Sequence, residues 1–201
     1  MKIIYAGLVV LLFGIAPVLG QTNLQIHGGS SFTNLSFLPD LENPSFSLPD
    51  RNGLFSFYGG LSVDQTLNKR LSLQYDFSFS YFYDKETHYC TSDWCCMPRA
   101  GIKSNYFTNS LILMYQMLPN LKAGAGAFMG ALENLRTEYS LKELDFFDFE
   151  RPHFGAQIKA QYSYKNYGLE LIYFRALEGA NPTFVYPKAS IRLGVFYVLV
   201  P

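Results

Sequence analysis

The chain has 201 residues, with 16 basic and 16 acidic side chains and a formal net charge of zero. No basic stripe runs along it, which excludes the electrostatic footprint of a nucleic-acid-binding protein. Aromatic residues make up 17% of the chain, with 15 Tyr and 18 Phe against one Trp, an excess that suits β-structure and interfacial girdles.

Met1-Lys2 gives a positive start, Ile3 to Leu19 is almost wholly apolar, and Val18-Leu19-Gly20 places a small residue at the expected cut. This is the pattern of a cleaved secretory signal over residues 1–20, with residues 21–201 as one mature domain. The apolar stretch is short for a spanning helix and carries Pro17 near its end. No later apolar run is long enough to span a membrane as a helix, so a mature chain in a membrane must cross it as a closed barrel.

Eight candidate strands follow. The first, 23–33, sets Leu24, Ile26 and Phe32 against Gln25, His27 and Ser31. The second, 54–66, sets Phe55, Phe57, Leu61 and Val63 against Ser56, Tyr58, Ser62 and Asp64. The third, 71–83, alternates most cleanly. From Leu71 to Tyr81 every odd position is apolar or aromatic and every even position is polar, which only an extended strand can sort onto two faces. In the fourth, 104–117, Leu111, Leu113, Tyr115 and Met117 share an outward parity with Asn109, while Ile112 and Met114 break the alternation. The fifth, 121–132, sets Ala123, Ala125, Ala127 and Met129 against Lys122, Gly124, Gly126 and Gly130. The sixth, 152–164, puts Phe154, Ile158 and Tyr162 opposite Gln157, Lys159 and Gln161. The seventh, 167–175, puts Leu169, Leu171 and Tyr173 opposite Glu170. The eighth, 188–199, puts Ile191, Leu193, Val195 and Tyr197 opposite Lys188, Ser190, Arg192 and Gly194.

The connections alternate in length. Those at 34–53, 84–103, 133–151 and 176–187 are long; those at 67–70, 118–120 and 165–166 are short. Long loops on one side and short turns with both termini on the other are the pattern of an outer-membrane barrel. The fold expected is all-β: an eight-stranded antiparallel transmembrane β-barrel, wound as an up-and-down meander, in the cell outer membrane. A barrel of this size is filled by its own side chains.

The segments Gly124-Ala125-Gly126-Ala127-Phe128-Met129-Gly130 and Tyr167-Gly168-Leu169-Glu170-Leu171-Ile172-Tyr173 resemble the small outer-membrane β-barrel family of Bacteroidetes, which includes PorT-like proteins. So does Ile191-Arg192-Leu193-Gly194-Val195-Phe196-Tyr197. The resemblance covers most of 21–201. It implies a fold and a location, and it supplies no catalytic residues.

Unpaired charges cannot remain inside a narrow barrel. The inward parity collects Asp64, Gln74, Asp76, Lys159, Glu170 and Arg192, so an interior polar network is expected, with Glu170 beside one or both of Lys159 and Arg192. In the second long loop, Cys90, Cys95 and Cys96 accompany His88, Asp93 and Trp94. In an oxidising compartment Cys90 is expected to pair with Cys95 or Cys96, leaving one thiol over; the spacing matches no standard zinc pattern. The third long loop interleaves Glu143, Asp145, Asp148 and Glu150 with Phe146, Phe147 and Phe149. Glu143, Asp145, Phe147, Asp148 and Glu150 are candidates for a loop-binding surface, and the spacing of a calcium-binding EF-hand is absent.

No Ser-His-carboxylate spacing accompanies the three His residues, His27, His88 and His153. The expectation is a non-enzymatic protein without cofactor or metal, surrounded by outer-membrane lipid. Its long loops would serve surface binding or adhesion, or join an envelope partner in a secretion or transport assembly. The alternatives are an outer-membrane enzyme that modifies lipid, and a soluble lipocalin-like carrier whose apolar parity would face inward against a hydrophobic ligand.

Overall fold

A computed structural model describes residues 22–37, 51–84, 89–92, 95–97, 101–139, 142–145, 153–177 and 185–200, with side chains described over 22–34, 54–82, 105–131, 153–177 and 188–199. Eleven strands run in chain order: β1 (Thr22–Phe37), β2 (Arg51–Thr66), β3 (Leu71–Asp84), β4 (Tyr89–Ser92), β5 (Cys95–Met97), β6 (Gly101–Leu118), β7 (Leu121–Tyr139), β8 (Lys142–Asp145), β9 (His153–Tyr164), β10 (Tyr167–Ala176) and β11 (Val185–Val200). Eight of these close a barrel in the order β1-β2-β3-β6-β7-β9-β10-β11, with β11 returning to β1, and all pairings are antiparallel. Closure removes every exposed edge from the wall, the condition for strands to sit in lipid.

The wall strands match the eight expected segments, and all but β9 run longer at the end that carries the long connections. There β6 and β7 stay paired to Gly101↔Glu138, whereas β9 leaves β7 at the pair Gly130↔His153. Beyond that point β8 takes over beside β7, from Arg136↔Asp145 to Tyr139↔Lys142. The short β4–β5 hairpin was likewise unforeseen in the second long connection. Both hairpins lack the long apolar/polar alternation that reveals a wall strand.

At the opposite end the turns are built locally. The Asn68 carboxamide oxygen accepts the backbone N–H groups of Arg70 and Leu71, each at 2.9 Å, which bends the chain from β2 into β3. Between β9 and β10, Lys165 takes a positive φ of 55°, the left-handed conformation that a two-residue hairpin requires.

The two faces of the wall invert those of a soluble protein. Burial alternates strictly along β10, with Leu169, Leu171 and Tyr173 exposed and Glu170, Ile172 and Phe174 buried. Phe57, Ile158, Leu193 and Val195 lie about 60% exposed or more on the outer surface. Gln74, Asp64 and Lys159 are fully buried in the lumen. A hydrophobic-ligand carrier needs the reverse arrangement, so the polar lumen removes that reading. Ile112 and Met114, which broke the pattern of their strand, are buried and belong to the inner face. Asn109, polar on the outer face, accepts a hydrogen bond from the Tyr75 hydroxyl at 2.8 Å.

Candidate functional site

The lumen is filled in three layers. The middle layer is ionic. Glu170 on β10 points inward because its neighbours Leu169 and Leu171 take the outer face. One of its oxygens accepts from His27 Nδ1 on β1 and from the Tyr58 hydroxyl on β2, both at 2.8 Å. The other lies 3.1 Å from Lys159 Nζ on β9. Lys159 also donates to Asp76 on β3 at 2.7 Å. Two carboxylates and one ammonium thus tie together five strands from both sides of the barrel.

Arg192 joins that cluster through the Tyr58 ring and not by an ion pair to either carboxylate. Its guanidinium reaches from β11 across the lumen, donating to Ser78 at 2.6 Å, Thr108 at 3.4 Å and Ser80 at 3.0 Å. Its flat faces meet the rings of Phe174 at 4.7 Å and Tyr58 at 5.1 Å. A buried guanidinium held by hydroxyls and aromatic faces needs no direct carboxylate, because each ring presents negative potential to it. Of the two cations expected beside Glu170, the structure therefore supplies Lys159.

Toward the short turns, Lys122 on β7 donates to Asp64 on β2 at 2.6 Å. Asp64 is fully buried while the Lys122 side chain keeps 27% of its surface exposed. Gln161 donates to Gln25 across the lumen at 3.2 Å. Gln74 is fully buried beside Asp64 in the β2–β3 register, and its side-chain amide makes no hydrogen bond to a described protein group.

Toward the long connections the lumen turns aromatic. Phe82, Tyr106, Phe128, Phe174 and Ala176 form one buried cluster. The Tyr106 hydroxyl and His153 Nε2 share a hydrogen bond of 2.7 Å, and their rings stack at 5.4 Å. Tyr106 can lie flat against the wall because Gly130 stands there; a Cβ at that position would collide with the phenol ring. Gly194 makes the same room for Tyr58, which lets its hydroxyl reach Glu170.

All six residues expected inside, Asp64, Gln74, Asp76, Lys159, Glu170 and Arg192, are buried in the lumen. The partners Lys122, Tyr58 and His27 sat on the inward parity without being assigned a role, and the aromatic cluster was not foreseen. Its signal was present in Phe82, Tyr106, Phe128 and Phe174, which all fall on the inward parity of their strands. The side chains of Cys90, Cys95 and Cys96 lie outside the described residues, although the backbone of the hairpin pairs Cys90↔Cys96 and Ser92↔Cys95. Glu143 and Asp145 are described only as backbone of β8; Phe147, Asp148 and Glu150, like the signal segment, lie outside the described residues. Among the described residues no three of His, Cys, Asp or Glu are grouped to hold a metal ion.

No protein-family model matches the chain, and no curated protein matches it. The resemblance to PorT-like proteins therefore gains support only for the barrel itself. Solved structures do match in fold. Ail, the attachment invasion locus protein of Yersinia pestis, aligns at a TM-score of 0.50 and 11% identity over 90% of this chain and 100% of its own. Neisserial surface protein A aligns at a TM-score of 0.52 and 14% identity, over 88% of this chain and 98% of its own. Both are small eight-stranded outer-membrane barrels, and at these identities the likeness is one of fold.

Proposed function

We propose that the chain is a non-enzymatic outer-membrane protein whose sealed barrel serves as a mount for its long loops, which bind a surface or an envelope partner outside the membrane. The observation that carries this reading is the division of the molecule. Among the described residues, ion pairs and aromatic rings from opposite strands cross the lumen, the arrangement of a barrel that is filled and not of a wide pore. The longer connections all leave from one end, where β6 and β7 extend past their neighbours. Binding residues concentrate on loops held by a rigid scaffold, and Glu143, Asp145, Phe147, Asp148 and Glu150 are the first candidates on those loops.

Membrane fractionation with heated and unheated gel migration tests the location. A membrane-bound, heat-modifiable band is expected; a soluble band refutes it. Deleting residues 140–152 then tests the role of the loops. Loss of attachment to surfaces, or of a co-purifying envelope protein, with heat modifiability intact supports the reading. Lipid composition of a deletion strain separates it from a lipid-modifying enzyme, which would leave altered lipid A or phospholipid.

A further inference from the structure

We propose that the outer face of the barrel, at the end with the short turns, carries a seat for one phospholipid. One acyl chain would lie in a groove over β1 and β9–β11, with its phosphate at Lys165. The proposal rests on the chain's being embedded in a bilayer.

The groove follows from the register. Two rows of outward side chains cross four strands. One runs Tyr164–Tyr167–Tyr197–Ile26, the other Tyr162–Leu169–Val195–Gly28. The second row ends in a residue with no side chain, and its β2 partner is Gly59, again without one. The wall is therefore hollowed beside Val195 and Leu169 into an open groove of about 620 Å³. Its outward side chains are aliphatic or aromatic, and it opens sideways from the belt, where a bilayer supplies hydrocarbon.

The head of the groove has a different chemistry. Tyr164 and Tyr167 flank the β9–β10 turn with rings 5.7 Å apart. Between them in sequence stands Lys165, exposed, with its ammonium 5.7 Å from the centre of the Tyr164 ring. Its backbone φ of 55° is a conformation that Gly and Asn adopt more readily than Lys, so the turn itself does not call for a lysine. A cation beside two tyrosine rings at the turn end of an apolar slot matches a phosphodiester attached to an acyl chain. A free phosphate would leave the slot unused, and a neutral lipid would leave the cation unused.

Native mass spectrometry of the refolded chain, titrated with phosphatidylglycerol in detergent, tests this. Val195→Trp fills the slot from the outer face, and Lys165→Glu reverses the charge at its head. Heat-modifiable migration is measured first for each, so that failure to form a membrane barrel is seen separately from failure to hold lipid. The wild-type barrel should retain one phosphatidylglycerol, at least about fivefold more than either variant and more than it retains diacylglycerol with the same chains. Equal retention by wild type and both variants, no retention by a heat-modifiable wild type, or equal retention of diacylglycerol overturns the proposal.

Discussion

Replacing Glu170 by Leu tests whether the lumen is held by its charges or merely filled by them. In the native barrel this carboxylate accepts three short contacts, from His27, Tyr58 and Lys159. Breaking a buried ion pair costs about 3–5 kcal/mol, because the partner stays behind unpaired. Lys159 here keeps Asp76 at 2.7 Å, which places the ionic part at the low end of that range. Leaving the buried Tyr58 hydroxyl without its acceptor adds about 1 kcal/mol or more. The expected loss is therefore about 3–4 kcal/mol, measured as a shift in the urea midpoint for losing the compact, unheated gel form in phospholipid vesicles. Glu170→Gln keeps an acceptor for Tyr58 and should lose less. Coupling gives a sharper check. Tyr58→Phe should cost about 1.5–3 kcal/mol in the native background, as for a hydrogen bond to a charged group, and should recover about 1 kcal/mol beside Glu170→Leu, where it removes the stranded hydroxyl. A Glu170→Leu barrel within about 0.5 kcal/mol of wild type, the range of an uninvolved site, would refute the network. So would additive effects of the two substitutions.

Gly130→Ala should destabilise the barrel by about 1–3 kcal/mol, the usual cost of overpacking, since the three atoms nearest its Cβ, the hydroxyl first, all belong to Tyr106; in a Tyr106→Leu background the same change should cost less than half as much, measured by urea midpoint. The refolded chain should give no ion steps in a planar bilayer, because Arg192 reaches across the lumen to Ser78 and Ser80 and the aromatic cluster lies beyond it; regular conductance steps would contradict a filled barrel. The backbone register sets Cys90 opposite Cys96; if those two thiols bond, the unreduced denatured chain should titrate one thiol and Cys95→Ser none, and three thiols in the unreduced chain would exclude a disulfide.

How much of this was legible in the sequence depended on the distance over which each interaction acts. Strand parity is local: a side chain's face is fixed by its neighbours two residues away, and so Glu170, Lys159 and Asp76 could be placed inside from their own strands. Closure was also legible, through the alternation of long and short connections. Pairing across the lumen is not local. Lys159 and Arg192 both point inward and both register against Ile172 of β10, yet only Lys159 meets Glu170; the choice lies in which way each long side chain turns inside the lumen, which parity and register do not fix. Arg192 found hydroxyls and two aromatic rings, groups that a search for opposite charges passes over. The aromatic cluster escaped for a related reason. Phe128 and Phe174 look like lipid-facing residues by type, and only their parity assigns them to the lumen.

The same division bears on what the barrel is for. A barrel made only to anchor loops needs a polar lumen no more than a soluble protein needs a buried salt bridge, and a buried pair is weak evidence of added stability, since apolar residues of equal volume often do as well. A uniformly apolar lumen, however, would leave both faces of each strand alike. A slip of one residue in register exchanges those faces, so in such a barrel it would cost little. With Asp64, Asp76, Lys159, Glu170 and Arg192 on one face, a slipped strand turns charges into hydrocarbon and aliphatic side chains into the network. The charged lumen therefore discriminates among registers even where it adds little net stability. Substituting Asp76, Lys159 and Glu170 together by Asn, Met and Leu should separate the two roles. The triple variant should lose no more than about 2–3 kcal/mol, since the cluster keeps no orphaned charge and what remains is the cost of leaving Tyr58 and His27 without the Glu170 acceptor, yet refold into vesicles with a lower yield of the single compact band. A triple variant that refolds as cleanly as wild type would show that the charges do not select the register.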